Sequence, residues 1–493
     1  MSISVRLHEL PEPLLEFGGA GEFTDPKVGL REAGPYDLRF GNAARNTNIR
    51  LGLVGPQAML LKARNWFSTC MGHIESTMKN IDQYPHYPGF ESVFRCSLSL
   101  SSRWENTISE TSLKEAISEK VDALAFEKVL QLYSDAIKRL ASQEFSKPHV
   151  IICCLPEEVI NRCWSIKNQV VKHTSKAKKI SQQLNLFEVL PEVEETAEDL
   201  LNRDFRRALK AKAMECQIPI QIGRDRLFVG VERGGQDAAT RAWHSSIAIY
   251  YKAGGIPWRL RSNGPETCYV GISFHHLYTT TNRHLVRSCI AQAFSSDGEG
   301  FAIRGANIPW DAKQDRNVHL TEKQAYEMGE KILENYSDRT GMTPQRVVIH
   351  KTSAFNEDET EGFRTALANI PIVELINLAP TDLRLVRHGE YPPKRGTLCI
   401  VNEANSYLFT TGFMPSLGTY PGPHIPAPLQ IKSDQPIDVE KVAIDVLSLA
   451  RMNWNTSSTT SGFPVTLFFA RQVGGIMAEY GDREPHTSFR YYI

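Results

Sequence analysis

Apolar runs that adjoin amphipathic stretches are the feature that most limits the fold of this chain. The runs at 49–55 (IRLGLVG), 149–156 (HVIICCLP) and 345–350 (QRVVIH) predict buried strands, and each adjoins a segment of helical periodicity. Strands that alternate with helices are typical of parallel, doubly wound sheets. A chain of 493 residues is also too long for one hydrophobic core, so we expect two to four domains.

The first half of the sequence predicts one such strand-and-helix domain after an extended start. Residues 1–45, rich in Gly and Pro, predict a lead-in segment with little regular structure. We expect helices over about 57–80, 112–143, 200–215 and 236–252. Gly254, Gly255 and Pro257 would then end the last of these helices.

The pattern changes near Trp258. Three short β runs follow in quick succession, at 268–274, 286–294 and 300–305, and they indicate an antiparallel meander. A helix opening with Thr321 and the strand at 345–350 come next. This is the order of an RNase H-like sheet. The expected fold class is therefore α/β, with a Rossmann-like domain over 46–258 followed by an RNase H-like domain over 259–493.

Charge and cysteine content indicate the cellular compartment but do not identify a partner. Lys plus Arg balances Asp plus Glu at 56 each, and the nine cysteines include no CxxC pair. The absence of an apolar run near 18 residues or of a signal-like start led us to expect a cytoplasmic protein. Local charge is uneven, because 166–179 and 203–212 are basic and 187–199 is acidic. Such runs are ordinarily solvated surface.

Four residues in the first domain are candidates for holding a terminal phosphate. Arg206 and Lys210 lie four apart on a predicted helix, Gln221 follows in the next loop, and Lys252 ends a later helix. Two or three cations with an amide donor are what a phosphate dianion requires. Taken singly, each residue also has an ordinary explanation, as a solvent-facing helix residue or, for Lys252, as a partner of the helix dipole.

The order of several motifs resembles a known family, the short prokaryotic Argonautes, which contain only MID and PIWI domains. The stretches that carry the resemblance extend over most of the chain. They are LPEPLLEFGGAGEFTDPKVGLREAGPYD near the start, YPGF at 87–90, LPEE at 155–158, FRRALKAKAMECQIPIQ at 205–221, AWHSSIAIYYKAGGIPWRL with CYVGISF over 242–274, RVVIHKTSAF at 346–355 and MNWNTSSTTSGFPVTLFFARQVG at 452–474.

The resemblance implies that the MID domain binds the 5′-phosphate of a short guide. The family's phosphate residues correspond to Arg206, Lys210, Gln221 and Lys252. Arg206 stands where a Tyr or His often stacks on the first base, and a guanidinium can also stack. The family's terminal carboxylate, supplied here by Ile493, would hold Mg²⁺ together with guide phosphate oxygens. The implied partners are a small 5′-phosphorylated RNA guide and a single-stranded DNA target.

The same resemblance implies a PIWI domain that does not cleave. An RNase H-type centre holds two Mg²⁺ ions with carboxylates, but this sequence has Ser273, Thr352 and Arg471 at three of those positions. The glutamate finger has no clear counterpart, and Glu299 is one candidate. We instead expect Lys351 and Arg471 to contact nucleic-acid backbone phosphates. Metal binding by His275, His276 and His284 was expected to be absent, because no ligand set has usable spacing.

An output without cleavage must come from another chain. Short Argonautes usually act with an APAZ-domain effector, commonly a sirtuin-like or TIR NADase and sometimes a nuclease, in defence against plasmids or phage. The expected assembly is a heterodimer, with higher oligomers on activation. Two alternatives stay open at this point: a guide-directed silencer without any effector, and an active endonuclease. The residues alone do not distinguish an RNA guide from a DNA guide.

Overall fold

The computed structural model describes residues 5–19, 21–167, 202–231, 235–261, 264–276, 285–294, 300–309, 318–386, 392–402, 405–422, 425–458, 461–480 and 486–493. The strands are β1 (Arg6–Glu9), β2 (Leu15–Glu16), β3 (Glu22–Phe23), β4 (Asn48–Gly55), β5 (Ser97–Ser99), β6 (Glu105–Thr107), β7 (Val150–Cys154), β8 (Ser165–Lys167), β9 (Asn202–Asp204), β10 (Ile220–Gly223), β11 (Arg259–Leu260), β12 (Thr267–His276), β13 (Leu285–Phe294), β14 (Gly300–Pro309), β15 (Arg346–Lys351), β16 (Ile372–Pro380), β17 (Thr397–Asn402), β18 (Asn405–Leu408) and β19 (Leu429–Lys432).

The α-helices lie between and around these strands. They are α1 (Pro26–Ala33), α2 (Gln57–Met71), α3 (Phe90–Phe94), α4 (Glu110–Ile117), α5 (Asp122–Ala141), α6 (Glu157–Cys163), α7 (Phe205–Glu215), α8 (Asp225–Phe228), α9 (Ala238–Lys252), α10 (Glu322–Thr340), α11 (Glu357–Ala366), α12 (Val439–Leu449) and α13 (Val465–Tyr480). Short 3₁₀ turns include Phe489–Tyr491 near the C-terminal end.

The first sheet is parallel, as the apolar runs predicted. Its strand order is β10-β7-β4-β5, and β6 pairs with the far end of β4. Every residue of β7 is buried, because helices cover both faces of the sheet. β10 lies parallel to β7 with Gln221 opposite Ile152. The carboxyl end of β10 therefore lies at the edge of the sheet where ligands bind in open α/β folds.

The second sheet is mixed and much larger. Its order is β1-β17-β18-β19-β16-β15-β12-β13-β14. β12, β13 and β14 form the antiparallel meander expected from the sequence, and β15 lies parallel to β12. α10 begins at Thr321 with a capping box to Gln324, as the sequence indicated. This arrangement confirms the RNase H-like part of the fold prediction.

The N-terminal residues are more than a lead-in. β1 pairs antiparallel with β17, with Arg6 opposite Ile400. β2 pairs with β11 and β3. Between these strands, Glu12 accepts hydrogen bonds from Arg395 and Arg451, whose side chains are 1% exposed. The predicted lead-in segment therefore contributes an edge strand and a buried carboxylate to the second half of the chain.

Two predicted helix boundaries were wrong. The helix expected over 57–80 ends at Met71, where Gly72 caps it, and an irregular segment follows. The single helix expected over 112–143 is two helices, α4 and α5, separated by the extended residue Val121. The break allows both helices to turn an apolar face to the same core, which includes Leu113 and Phe126.

α9 lies at the centre of the molecule, and every residue from Ala239 to Lys252 is buried. Its apolar side chains belong to a core cluster that also contains residues of α13 and the C-terminal end, among them Phe469 and Ile493. The cluster joins the two sheets into one packed body. In the part of the chain that the structure describes, no helix has the length and apolar character needed to cross a bilayer.

Candidate phosphate-binding site

The N-terminal half of α7 presents two of the predicted cations. Asp204 caps the helix by accepting a 3.0 Å hydrogen bond from the backbone nitrogen of Arg207. Arg206 and Lys210 follow four residues apart, so their side chains share one face of the helix. Arg206 is partly exposed, whereas Lys210 is 3% exposed. The face therefore extends from the surface into the interior.

Gln221 and Lys252 meet directly. Gln221 lies on β10, and Lys252 is the last residue of α9. The Lys252 ammonium donates a hydrogen bond to Gln221 Oε1. The helix ends there because the chain turns at Gly254, which has a φ of 100° that favours glycine. The end of α9 thus places a cation at the carboxyl edge of the parallel sheet.

The electrostatics link this pair to Arg206. Burial lowers the pKa of Lys252 well below its ordinary value, and the positive charge of Arg206 lowers it further, while Cys153 has a smaller opposing effect. Among the described residues, no carboxylate forms an ion pair with Lys252. A bound anion would stabilise the charged form of Lys252 in this buried site.

Lys210 joins the same region to the C-terminal end. Its Nζ donates a 3.1 Å hydrogen bond to the carbonyl oxygen of Tyr492. Tyr492 and Ile493 are 0% and 1% exposed. Arg490 packs against the turn after α9, where a Cβ on Gly254 would lie 2.9 Å from Arg490 Nη1. The last residues are therefore enclosed between α7 and the end of α9.

The structure thus brings all four predicted side chains and the final residue into one neighbourhood. Lys252 contacts Gln221 and is influenced by Arg206, and Lys210 lies one helical turn beyond Arg206 and contacts Tyr492. The arrangement can supply an ammonium, a guanidinium and an amide to one anion. Charge-assisted hydrogen bonds of this type are the strong ones.

A magnesium ion shared with a bound phosphate is the cofactor that the family resemblance implies for this region. Mg²⁺ keeps several waters and binds proteins through one or two carboxylates together with substrate phosphates. Within the described ranges, no group of three or more His, Cys, Asp or Glu side chains forms a metal site. Ile493, to which the resemblance gives the metal-binding carboxylate, is buried and follows the Lys210–Tyr492 contact.

One residue of the site escaped sequence reasoning. Gln472, on α13, accepts a 3.3 Å hydrogen bond from Arg206 Nη2 through its Oε1. Two further contacts hold α13 against this region, since a Cβ on Gly475 would lie 2.6 Å from Arg207 Nε and Glu479 pairs with Arg203 at 2.9 Å. The contact joins residues 266 apart, and no local pattern in the sequence signals it.

Two of the three residues that the resemblance assigns to metal-ligand positions, Ser273 and Thr352, lie side by side just past the parallel pairing of β12 and β15. The parallel register pairs Ile272 with Lys351, so Ser273 and Thr352 come next on adjacent chains. Ser273 Oγ and His275 Nε2 form a 2.9 Å hydrogen bond. α13 lies across β12 so closely that a Cβ on Gly474 would overlap the His275 ring. Arg471, three residues earlier, is exposed, and its guanidinium lies 5.0 Å from the Phe463 ring centroid.

Lys351 lies in the interior beside these positions. It is 1% exposed, and its Nζ donates to both carboxylate oxygens of Glu359, at 2.6 and 2.5 Å. Glu359 is itself 0% exposed and accepts further hydrogen bonds from Leu320 N and Asn356 N. This buried ion pair corrects the expectation that Lys351 contacts nucleic-acid phosphates. Arg471 keeps the exposure that such a contact needs.

Other candidates from the sequence are only partly covered by the structure. Glu299 and His284 lie outside the described residues, as do the segment 168–200, which includes the acidic run and most of the first basic run, and the side chain of His276. The second basic run, 203–212, extends from β9 into α7. Arg203 on β9 and both Arg206 and Lys210 on α7 contact other parts of the protein. That run is therefore a structural element rather than solvated surface.

Comparison with known proteins supports the fold. No protein-family model and no curated protein matches the sequence, whereas solved structures do. Clostridium butyricum Argonaute bound to a guide DNA and a 19-mer target DNA has a TM-score of 0.61 at 15% identity, over 97% of this chain and 54% of that chain. A. aeolicus Argonaute has a TM-score of 0.55 at 13% identity, over 97% and 54% of the two chains.

Drosophila Piwi gives a TM-score of 0.58 at 13% identity, over 98% of this chain and 56% of that chain. The chain therefore spans little more than half the length of these structures. Its fold is Argonaute-like, with an α/β MID-like part followed by an RNase H-like PIWI part, as the sequence predicted.

Replacing Lys252 with Met should raise the free energy of unfolding of the nucleic-acid-free protein by about 1 kcal/mol or more, since each unit of pKa shift corresponds to about 1.4 kcal/mol. Because the folded pKa of Lys252 is lowered, its destabilising effect is complete below that folded pKa. It declines as the pH rises towards the ordinary lysine value. Urea unfolding of both proteins across neutral and alkaline pH measures the difference.

Lys212→Met is the matched control, since Lys212 lies on α7 with its side chain 37% exposed. We expect its effect to stay within about 0.5 kcal/mol. A destabilised Lys252→Met protein at neutral pH would contradict the assignment of Lys252 as a buried cation that lacks its anion.

Proposed function

We propose that this protein binds a short guide nucleic acid by its 5′-phosphate and uses the guide to recognise a complementary strand. The observation that carries the proposal is that Gln221 contacts the buried Lys252 and that Arg206 lies close enough to affect its charge. A phosphate dianion would supply the missing negative charge and accept hydrogen bonds from all three side chains. Lys210 and the Ile493 carboxylate, with a shared Mg²⁺, would complete the pocket.

The proposed guide is a small 5′-phosphorylated RNA and the proposed target is single-stranded DNA. Support comes from the Argonaute-like fold and from the resemblance of the motifs to short Argonautes with MID and PIWI domains. Sequence recognition would reside in base pairing, while the protein holds the guide end and the backbone, a division of labour known from other guided systems. Arg206 is placed to orient the phosphate and to stack on the first base.

We infer further that the PIWI part does not cleave the target. Two hydroxyl side chains and an exposed guanidinium occupy the positions of metal-binding carboxylates, namely Ser273, Thr352 and Arg471. Neutral hydroxyls and a cation are poor ligands for hard divalent metals. The nearby carboxylate of Glu359 is already neutralised by Lys351. Arg471 remains the candidate for contact with the nucleic-acid backbone.

A guided protein without a nuclease centre needs a partner to produce an effect. The proposed partner is an APAZ-domain effector, with a sirtuin-like or TIR NADase activity, in prokaryotic defence against plasmids or phage. Binding of guide and target would favour an active state of the complex only through a higher affinity for that state. The proposed unit is a heterodimer in the cytoplasm that forms higher oligomers on activation.

Lys210→Met and Lys252→Met should each weaken the binding of a 5′-phosphorylated RNA guide by at least about 30-fold, since removing a buried charged partner costs about 2–5 kcal/mol. Fluorescence anisotropy with 5′-phosphate and 5′-hydroxyl guides of the same sequence measures the effect. Lys212→Met should leave both affinities unchanged. Chelation of Mg²⁺ with EDTA should weaken only the phosphorylated guide. Equal losses in all three variants would contradict the pocket assignment.

The guide-loaded protein should release no cleaved target when incubated with complementary DNA and either Mg²⁺ or Mn²⁺. The missing carboxylates are the physical reason. Denaturing electrophoresis of end-labelled target checks the result, and a reaction with a non-complementary guide controls for contaminating nucleases. Guide-dependent cleavage at a single position would show that the PIWI centre is active.

An effector encoded beside this protein should copurify with it. The complex should consume NAD⁺ only after a guide and a complementary single-stranded DNA are both added, since neither alone would favour the active state. Measuring NAD⁺ during stepwise addition of the two strands tests the expectation. NAD⁺ consumption independent of both strands, or no association with an APAZ protein, would leave the effector part of the proposal without support.

A further inference from the structure

Gln472 has a buried hydrogen-bond donor that the protein does not satisfy. The residue lies on α13 and is 5% exposed. Its Oε1 accepts the hydrogen bond from Arg206, and among the described residues no acceptor lies within hydrogen-bond distance of its Nε2. Buried amide groups are almost always paired. An unpaired buried donor destabilises the free protein, so a ligand that supplied an acceptor there would be stabilised by it.

The orientation of this amide is fixed by its neighbour. A guanidinium has only donors, so the Gln472 oxygen must face Arg206 and the NH₂ group must point elsewhere. The backbone around it is also held by two contacts of α13. Gly475 packs against Arg207, and about one helical turn later Glu479 pairs with Arg203. The donor cannot readily turn away to find another partner within the protein.

The surroundings favour an anionic acceptor. Gln472 contacts Arg206, which lies on the same helix face as Lys210. The positive charge of Arg206 also lowers the pKa of Lys252. These cations attract negative oxygens and cannot themselves accept a hydrogen bond. A terminal phosphate held by them offers several acceptor oxygens, one of which would be available to a donor on the α13 side.

We propose that Gln472 is a guide-binding residue contributed by the PIWI part, with two roles at once. Its Oε1 orients Arg206, and its Nε2 donates a hydrogen bond to an oxygen of the guide 5′-phosphate. This inference rests on the proposed function, because it requires the guide phosphate to occupy the pocket. Both parts of the chain then hold the same phosphate, and guide binding joins α7 to α13.

Gln472→Glu separates the two roles. The variant keeps an oxygen for Arg206 in nearly the same shape, but it replaces the donor with a second, negatively charged acceptor. Arg206 would stay paired in this variant, because Arg–carboxylate pairs are strong, whereas the guide phosphate would lose a donor and face a negative charge. We expect at least a tenfold loss of affinity for the 5′-phosphorylated guide and less than a twofold change for the 5′-hydroxyl guide.

Gln345→Glu is the matched control, since Gln345 is exposed and the substitution changes the net charge equally. It should bind both guides like the wild type. If Gln472→Glu fails to fold, Gln472→Met serves instead, because it removes both polar atoms at similar volume. It should show the same selective loss for the phosphorylated guide, and it should lower the affinity of an Arg206→Met protein further, because a residue that acted only through Arg206 would add no loss in that background.

Two outcomes would overturn the inference: wild-type affinity of Gln472→Glu for the phosphorylated guide, or equal losses for both guides. Failure of the proposed function has a different signature, since the wild-type protein itself would then fail to distinguish the phosphorylated guide from the hydroxyl guide. Discrimination by the wild type with its selective loss in Gln472→Glu supports both proposals together.

Discussion

The burial of Lys252 at the end of α9 is the constraint on which the rest of the structure depends. α9 is enclosed on every side, so its last residue carries a cation into the interior where the two sheets meet. Water cannot solvate the ammonium there, and Gln221 supplies only an uncharged partner. A protein selected for stability alone would place an apolar side chain at this position. The arrangement makes sense as a site prepared for an anion, which links the stability of the fold to the presence of its ligand.

In the PIWI-like part, by contrast, a buried lysine has a buried carboxylate as its partner. Lys351 and Glu359 neutralise each other inside the protein, and Glu359 also caps α11 through Asn356. This ammonium is fixed beside the end of β15, next to Thr352. The end of the sheet is thus held together by an internal ion pair, and α13 crosses above it with Arg471 exposed and Gln472 directed to Arg206. Consecutive residues of one helix therefore connect this end of the second sheet to the proposed phosphate-binding region.

Local patterns foretold much of this structure, and the failures have physical causes. The meander β12–β14, the capped start of α10 and the end of α9 depend on short-range periodicity and capping, so they could be predicted. The phosphate residues could be proposed from helix spacing combined with family resemblance. Gln472 and the Lys351–Glu359 pair could not, because each depends on which side chains the tertiary fold brings together. The break between α4 and α5 was missed because apolar residues, Val121 among them, continue the helical spacing through it, whereas Val121 is extended and 40% exposed.

The pairing of β1 with β17 has a consequence for how the chain is made. Arg6 lies opposite Ile400, so the first strand leaves the ribosome long before its partner exists. At about 5–20 residues per second, the delay is roughly 20–80 s. During that time Leu7, which is 63% exposed even in the finished fold, has no sheet to join. Completion of this edge of the large sheet is therefore a late event in biosynthesis, and β1 must stay unpaired until then.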